Sequence, residues 1–122
     1  MVDKNLMLMK IVEIENSWGY SLPEDYSFFL LNSIKDLPVY EVYYASEENS
    51  IYLYNSLEVL ERNKTYKIQE REPNYFMIGQ DGDRGYFIHK DNDRIYVQNL
   101  GALGSLDMEI VSLNIGKFVQ GD

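Results

Sequence analysis

The chain has 122 residues, eleven tyrosines, no cysteine and a formal net charge of −9. That length suits one domain with a proper core, and residues 1–122 read as a single unit. The missing cysteine excludes disulfides, thiolate zinc sites and cysteine nucleophiles, and the acidity disfavours nucleic acid and anionic lipid as partners.

Residues 4–18 read as an amphipathic helix, because Met7, Ile11, Ile14 and Trp18 recur at spacings of four, three and four. Asp3 or Asn5 can cap its start, and Gly19 can take the left-handed conformation that ends it. Charged residues interrupt this N-terminal stretch, which therefore lacks the core of a signal peptide, and no apolar run is long enough to span a membrane. The expectation is a soluble, cytoplasmic protein.

The second helix is expected in "SLPEDYSFFLL", residues 21–31. Pro23 suits the first helical position, with Leu22 at the cap, because its missing N–H has no partner there anyway. Ser21 and Glu24 spell a capping box that this arrangement turns into a near-miss. Glu24 and Asp25 place negative charge at the positive end of the helix, and Tyr26, Phe29 and Leu30 form its buried stripe.

From residue 39 the pattern changes to short β-branched and aromatic runs. "VYEVYYAS" and "SIYLYN" flank the polar "EEN" and predict a hairpin. "NSLEVLERN" predicts a short helix capped by Asn55 or Ser56, and "KTYKIQEREPN" reads as a connection. "YFMIG", "GYFIHK" and "RIYVQNL" are three strands divided by "QDGDR" and "DND", which predicts an antiparallel meander. "SLDMEI" could add a strand, and "SLNIGKFVQ" could close the chain as a helix capped by Ser112. Helices first and a meander later, without a βαβ rhythm, predict an α+β fold with N-terminal helices packed on an antiparallel sheet.

Catalytic parts are scarce. His89 is the only histidine and lies in a predicted strand, so a structural role is expected. Asp81 and Asp83, like Asp91 and Asp93, stand two apart and could in principle hold calcium or magnesium. An EF-hand counted from Asp81 would place Gly85 at the third ligand position and Asn92 at the closing one, so the pattern fails. Aspartate and glycine are also what tight turns select. No metal, cofactor or enzyme activity is expected.

The charge is unevenly spread. Residues 1–61 hold three lysines and eleven acids, a net of −8, and no basic residue falls between Lys35 and Arg62. Such a field favours basic partners and otherwise serves solubility.

The helix followed by "SWGYSLPEDYSFFLLNS" resembles the signature of the SUKH superfamily, which includes the fungal Smi and Knr cell-wall regulators and many bacterial toxin-immunity proteins. Leu22, Pro23, Asp25, Tyr26, Phe29 and Leu30 occupy its L-P-x-D-Y and F-L positions. "YFMIGQDGDRGYFIHK" is similar to the family's strand ending in I-G, with Ile78, Gly79, Asp81, Gly85 and Tyr86 matching. The tail "SLNIGKFV" keeps Ile115 and Phe118 as anchors. The usual N-G-G end of the second helix is replaced by "NSIKDLP". The resemblance implies the α+β fold and a non-catalytic role, either neutralising a cognate toxin, frequently a nuclease, or acting as a regulatory or scaffolding module. A basic nuclease-type toxin would suit the acidic half of the chain. Tyrosine supplies rigid contact area, so the candidate toxin-binding residues are Glu41, Tyr43, Tyr44, Glu47, Glu48 and Tyr52. Strand alternation would instead turn half of these tyrosines into the core, and an exposed edge strand could equally serve a homodimer.

Overall fold

The computed structural model describes residues 3–38, 40–44 and 48–121. Helix α1 spans Lys4–Trp18 and buries Met7, Ile11, Ile14 and Trp18. Asp3 caps it by accepting the Leu6 amide at 2.9 Å, and Gly19 ends it at φ 90°. Both termini follow the sequence expectation.

Helix α2 spans Glu24–Phe29, and Pro23 is its cap rather than its first residue. Pro23 has extended geometry, φ −53° and ψ 139°, while its carbonyl already accepts the Ser27 amide at 3.0 Å. A residue with that ψ stands outside the helix yet receives its first bond. The Leu22 amide finds its acceptor in α1 instead, at Glu15 Oε2, 2.7 Å away. After Phe29 the chain widens into a π-helical turn, Leu30–Ile34, closed by Lys35 N–H to the Leu30 carbonyl. Lys35, which ends this turn, has left-handed backbone geometry at φ 51°.

Among the described residues six antiparallel strands follow in sequence order in one curled sheet: β1 (Tyr40–Tyr44), β2 (Asn49–Leu53), β3 (Tyr75–Asp81), β4 (Arg84–His89), β5 (Asn92–Asn99) and β6 (Glu109–Ser112). The expected hairpin and meander are thus parts of one sheet, joined where Tyr52 and Leu53 pair with Gln80 and Gly79. Between β2 and β3 lie α3 (Val59–Thr65) and α4 (Ile68–Arg71), the latter in a stretch expected to be irregular. Asn55 Oδ1 accepts the Leu57 and Glu58 amides at 3.0 and 3.1 Å, a turn that precedes α3. The last helix, α5 (Ile115–Val119), is capped by Asn114, whose side chain accepts the Lys117 amide. Ser112, the expected cap, belongs to β6.

The helices α1, α2 and α5 cover one face of the sheet. Trp18 packs on Phe76 with ring centroids 5.5 Å apart, and Phe118 packs on Tyr44 and Tyr86 at 5.7 and 5.5 Å. Leu22, Tyr26, Phe29, Leu30 and Ile78 are all buried there or in the strands beneath. Gly79 is required by a close approach: a Cβ built on it would lie 2.5 Å from the Tyr52 carbonyl oxygen. Leu22, Tyr26, Phe29, Leu30 and Ile78 thus lie in the core, and Gly79 meets a backbone contact. This is an α+β fold with helices on an antiparallel sheet.

Strand β3 runs past the end of β2, and side chains take over its free margin. Buried Asn63 in α3 accepts the Met77 amide at 2.8 Å and donates to the Met77 carbonyl at 2.9 Å. Gln69 in α4 donates to the Tyr75 carbonyl at 2.9 Å and to Asn63 Oδ1 at 3.0 Å. Two amide side chains thus stand in for a missing neighbour strand.

Candidate protein-binding face

Alternation along the first hairpin sorts its side chains. Tyr40, Val42 and Tyr44 point toward the helices, and Glu41 and Tyr43 point the other way. Across the pair, Glu41 faces Tyr52 and Tyr43 faces Ser50, so these four share the uncovered side. Tyr43 is 57% exposed and Tyr52 46% exposed. Ser50 donates a short hydrogen bond to Glu41 Oε2, which holds that carboxylate against the sheet. Glu48, exposed in the turn, has left-handed backbone geometry at φ 54°.

Tyr44 departs from the expected face. It is buried, packs on Phe118, and donates its hydroxyl to the Phe118 carbonyl at 3.1 Å. Strand alternation assigns it to the core as an anchor for α5. Glu47 lies outside the described residues.

The face continues onto β3 through Gln80, the partner of Tyr52. Gln80 Oε1 accepts a short hydrogen bond from the Tyr54 hydroxyl, and its Nε2 donates to the Gly82 carbonyl at 3.0 Å. Burial pushes the Tyr54 hydroxyl well above the ordinary phenol range, although the Arg62 guanidinium, 5.6 Å over its ring, pulls it down. Ser50 and Gln80 were not among the sequence candidates. Their signal was the strand register, which places them beside Tyr43 and Tyr52.

Four of the cations are engaged within the molecule. Arg62 sits on Tyr54, and Arg71 donates to the Leu100 and Tyr66 carbonyls at 2.9 and 2.8 Å. Arg84 pairs with Asp81 at 3.2 Å, and Lys90 stands over the Tyr20 ring at 5.2 Å. Asp81 also accepts from Asn49 at 2.7 Å, so it serves the β3–β4 turn. His89 packs edge-on against Tyr75, centroids 4.8 Å apart, and its Nδ1 accepts the Asp91 amide at 3.0 Å. Among the described residues no group of three or more His, Asp or Glu side chains is gathered as a metal site would require. No helix of the described residues is long and apolar enough to cross a membrane.

A second surface feature was not foreseen. A groove of 680 Å³ runs between α2 and α5, with Phe28, Phe29, Ile115 and Val119 along it and Glu24, Asp25 and Asp93 among its acidic residues. Phe28 is 64% exposed. Burial raises the Asp25 carboxyl above its ordinary value and the Asp93 charge raises it further, against hydrogen bonds with the backbone of Tyr26 and Ile115.

Comparison with known proteins agrees with this geometry. No curated protein matches the chain. The model of the SMI1 / KNR4 family (SUKH-1) matches residues 8–121, a span that takes in every helix and strand from the body of α1 to α5. With Leu22 and Tyr26 of the L-P-x-D-Y stretch buried at the α2 start and Gly79 pressed against β2 within that match, the chain belongs to the SMI1 / KNR4 (SUKH-1) family.

Proposed function

We propose that the chain is a non-catalytic cytoplasmic module that binds and neutralises a basic protein toxin, of the nuclease type, through the uncovered side of its first hairpin. The observation that carries this reading is the shared exposure of Glu41, Tyr43 and Tyr52 on one side of β1–β2, with Glu48 at its turn. A nuclease must be basic to hold its substrate, and an acidic surface speeds encounter with it and can occupy the same patch. Exposed tyrosines add contact area at small entropic cost. Family membership supports binding over catalysis, and the net charge of −9, with Arg62, Arg71, Arg84 and Lys90 held in contacts within the molecule, supports an acidic contact surface.

The test is co-expression with the product of the neighbouring gene, followed by affinity measurement at two salt concentrations. Wild type is expected to rescue growth. The double variant Glu41→Lys, Glu48→Lys should lose roughly tenfold or more in affinity, chiefly through slower association, with a flatter salt dependence. Unchanged affinity in the double variant would remove the face from the mechanism. Rescue failure together with capture of a harmless endogenous protein would favour a regulatory module instead.

A further inference from the structure

We propose that the groove between α2 and α5 is a second docking site, which receives a partner segment carrying an arginine or lysine beside a large apolar side chain. This goes beyond the hairpin face, because α2 and α5 lie on the opposite, helix-covered side of the sheet from Tyr43 and Tyr52.

The groove has the two chemistries such a segment needs. Its apolar part is made by Phe29 and Ile115, both buried, with Val119 and the outward ring of Phe28 beside them. Phe28 is the second position of "SFF" that helical geometry turns to solvent while Phe29 turns inward. A fully apolar ring left mostly in water next to a concave surface is a feature that a bound partner would bury.

Its charge is of one sign. Glu24, Asp25 and Asp93 line it, and no lysine or arginine does among the described residues. Asp25 is half-buried and feels Asp93 as a like charge, so the native arrangement holds two carboxylates near one another without a cation between them. An incoming guanidinium or ammonium would relieve that repulsion while its aliphatic stem lay along Phe28 and Val119. Arginine suits the geometry better than lysine, because its planar fork can address carboxylates and stack on an aromatic ring together. The volume lies within the range of about 300–1,000 Å³ in which concave sites enclose small ligands or a few side chains.

The experiment uses the isotope-labelled full chain and a capped pentapeptide with arginine between leucine and phenylalanine. Amide chemical shifts of Asp25, Ile115 and Gly116 should move and saturate on titration. Control peptides with glutamate for arginine, or serine for both apolar residues, should bind at least tenfold more weakly. So should the surface variants Asp93→Lys and Phe28→Ser, whose amide spectra report that they fold. Absence of saturable shifts, or equal affinity for the Asp93→Lys variant, overturns the groove as a site. Shifts confined to β1–β2 overturn it too, yet leave the hairpin reading standing, so the two proposals fail separately.

Discussion

Two buried tyrosines illustrate how differently one side chain can serve the same core. Tyr44 reaches the Phe118 carbonyl with its hydroxyl, linking β1 to α5. Tyr26, the tyrosine of the L-P-x-D-Y stretch, is fully buried, and its hydroxyl has no hydrogen-bond partner among the described residues. Burial accordingly drives its ionisation far above the ordinary phenol range. Deleting each hydroxyl should therefore have opposite consequences. Tyr44→Phe removes one of the two hydrogen bonds to the Phe118 carbonyl, which keeps the Gly121 amide at 3.1 Å, and should lower unfolding stability by about 0.5–1.5 kcal/mol. Tyr26→Phe removes a desolvated polar atom and should leave stability unchanged or raise it by up to ~1 kcal/mol. Urea denaturation of the two variants decides the matter, and equal losses in both would contradict the structural distinction. At Gly79 the constraint is backbone contact rather than conformation, because the Tyr52 carbonyl occupies the space where any side chain would begin.

At the scale of elements, side-chain amides extend the sheet where β2 stops. Asn63 uses both ends of its amide on Met77 and also bonds Val59 and Gln69, so every hydrogen-bonding position it has is filled. Replacing it by leucine would leave the Met77 amide and carbonyl unpaired in a fully buried place. Asn63→Leu should thus cost about 2–4 kcal/mol and show first as accelerated hydrogen exchange at Met77. Exchange at Met77 as slow as in wild type would mean that the amide bridge contributes little. None of this could be read from "KTYKIQEREPN" and its surroundings, because a polar residue facing a strand edge looks the same in sequence as one facing water. The strands were legible for the opposite reason: β-branched and aromatic runs between Asp-Gly and Asp-Asn turns leave few alternatives. Alternation also held the correction for Tyr44, since a contact face and a core face cannot both claim neighbouring residues of one strand. Pro23 missed by one position because its own ψ, unlike its ring-fixed φ, is free to be extended. The groove depended on α2 meeting α5, a contact across about ninety residues of chain that no local pattern encodes.

At the scale of the whole molecule, a net charge of −9 works against compactness wherever carboxylates crowd. Asp25 is such a place. Its carboxyl is raised above 3.8 first by burial and then by Asp93. A raised carboxyl means that the folded chain holds this proton more tightly than the unfolded one. Its contribution to stability is therefore complete below pH 3.8 and is lost as pH rises through the folded value. Asp93→Asn removes the second cause, so the variant should melt at a higher temperature than wild type near pH 7. The gap should narrow as pH falls below 3.8, where the Asp25 carboxyl is protonated and carries no charge for Asp93 to repel. Melting curves across that range test the sign, and a gap of the same size at both ends would assign it to another cause. The amide seal on β3 has a consequence of a different kind. "YFMI" is apolar, rich in β-formers and uncharged, the sort of segment that nucleates cross-β stacking when its margin is open. Asn63 and Gln69 occupy that margin, whereas the outermost strands β1 and β6 carry Glu41 and Glu109. The chain thus covers the free margin of this apolar strand with neutral amides and places a carboxylate on each outer strand, two arrangements that disfavour edge-to-edge strand pairing.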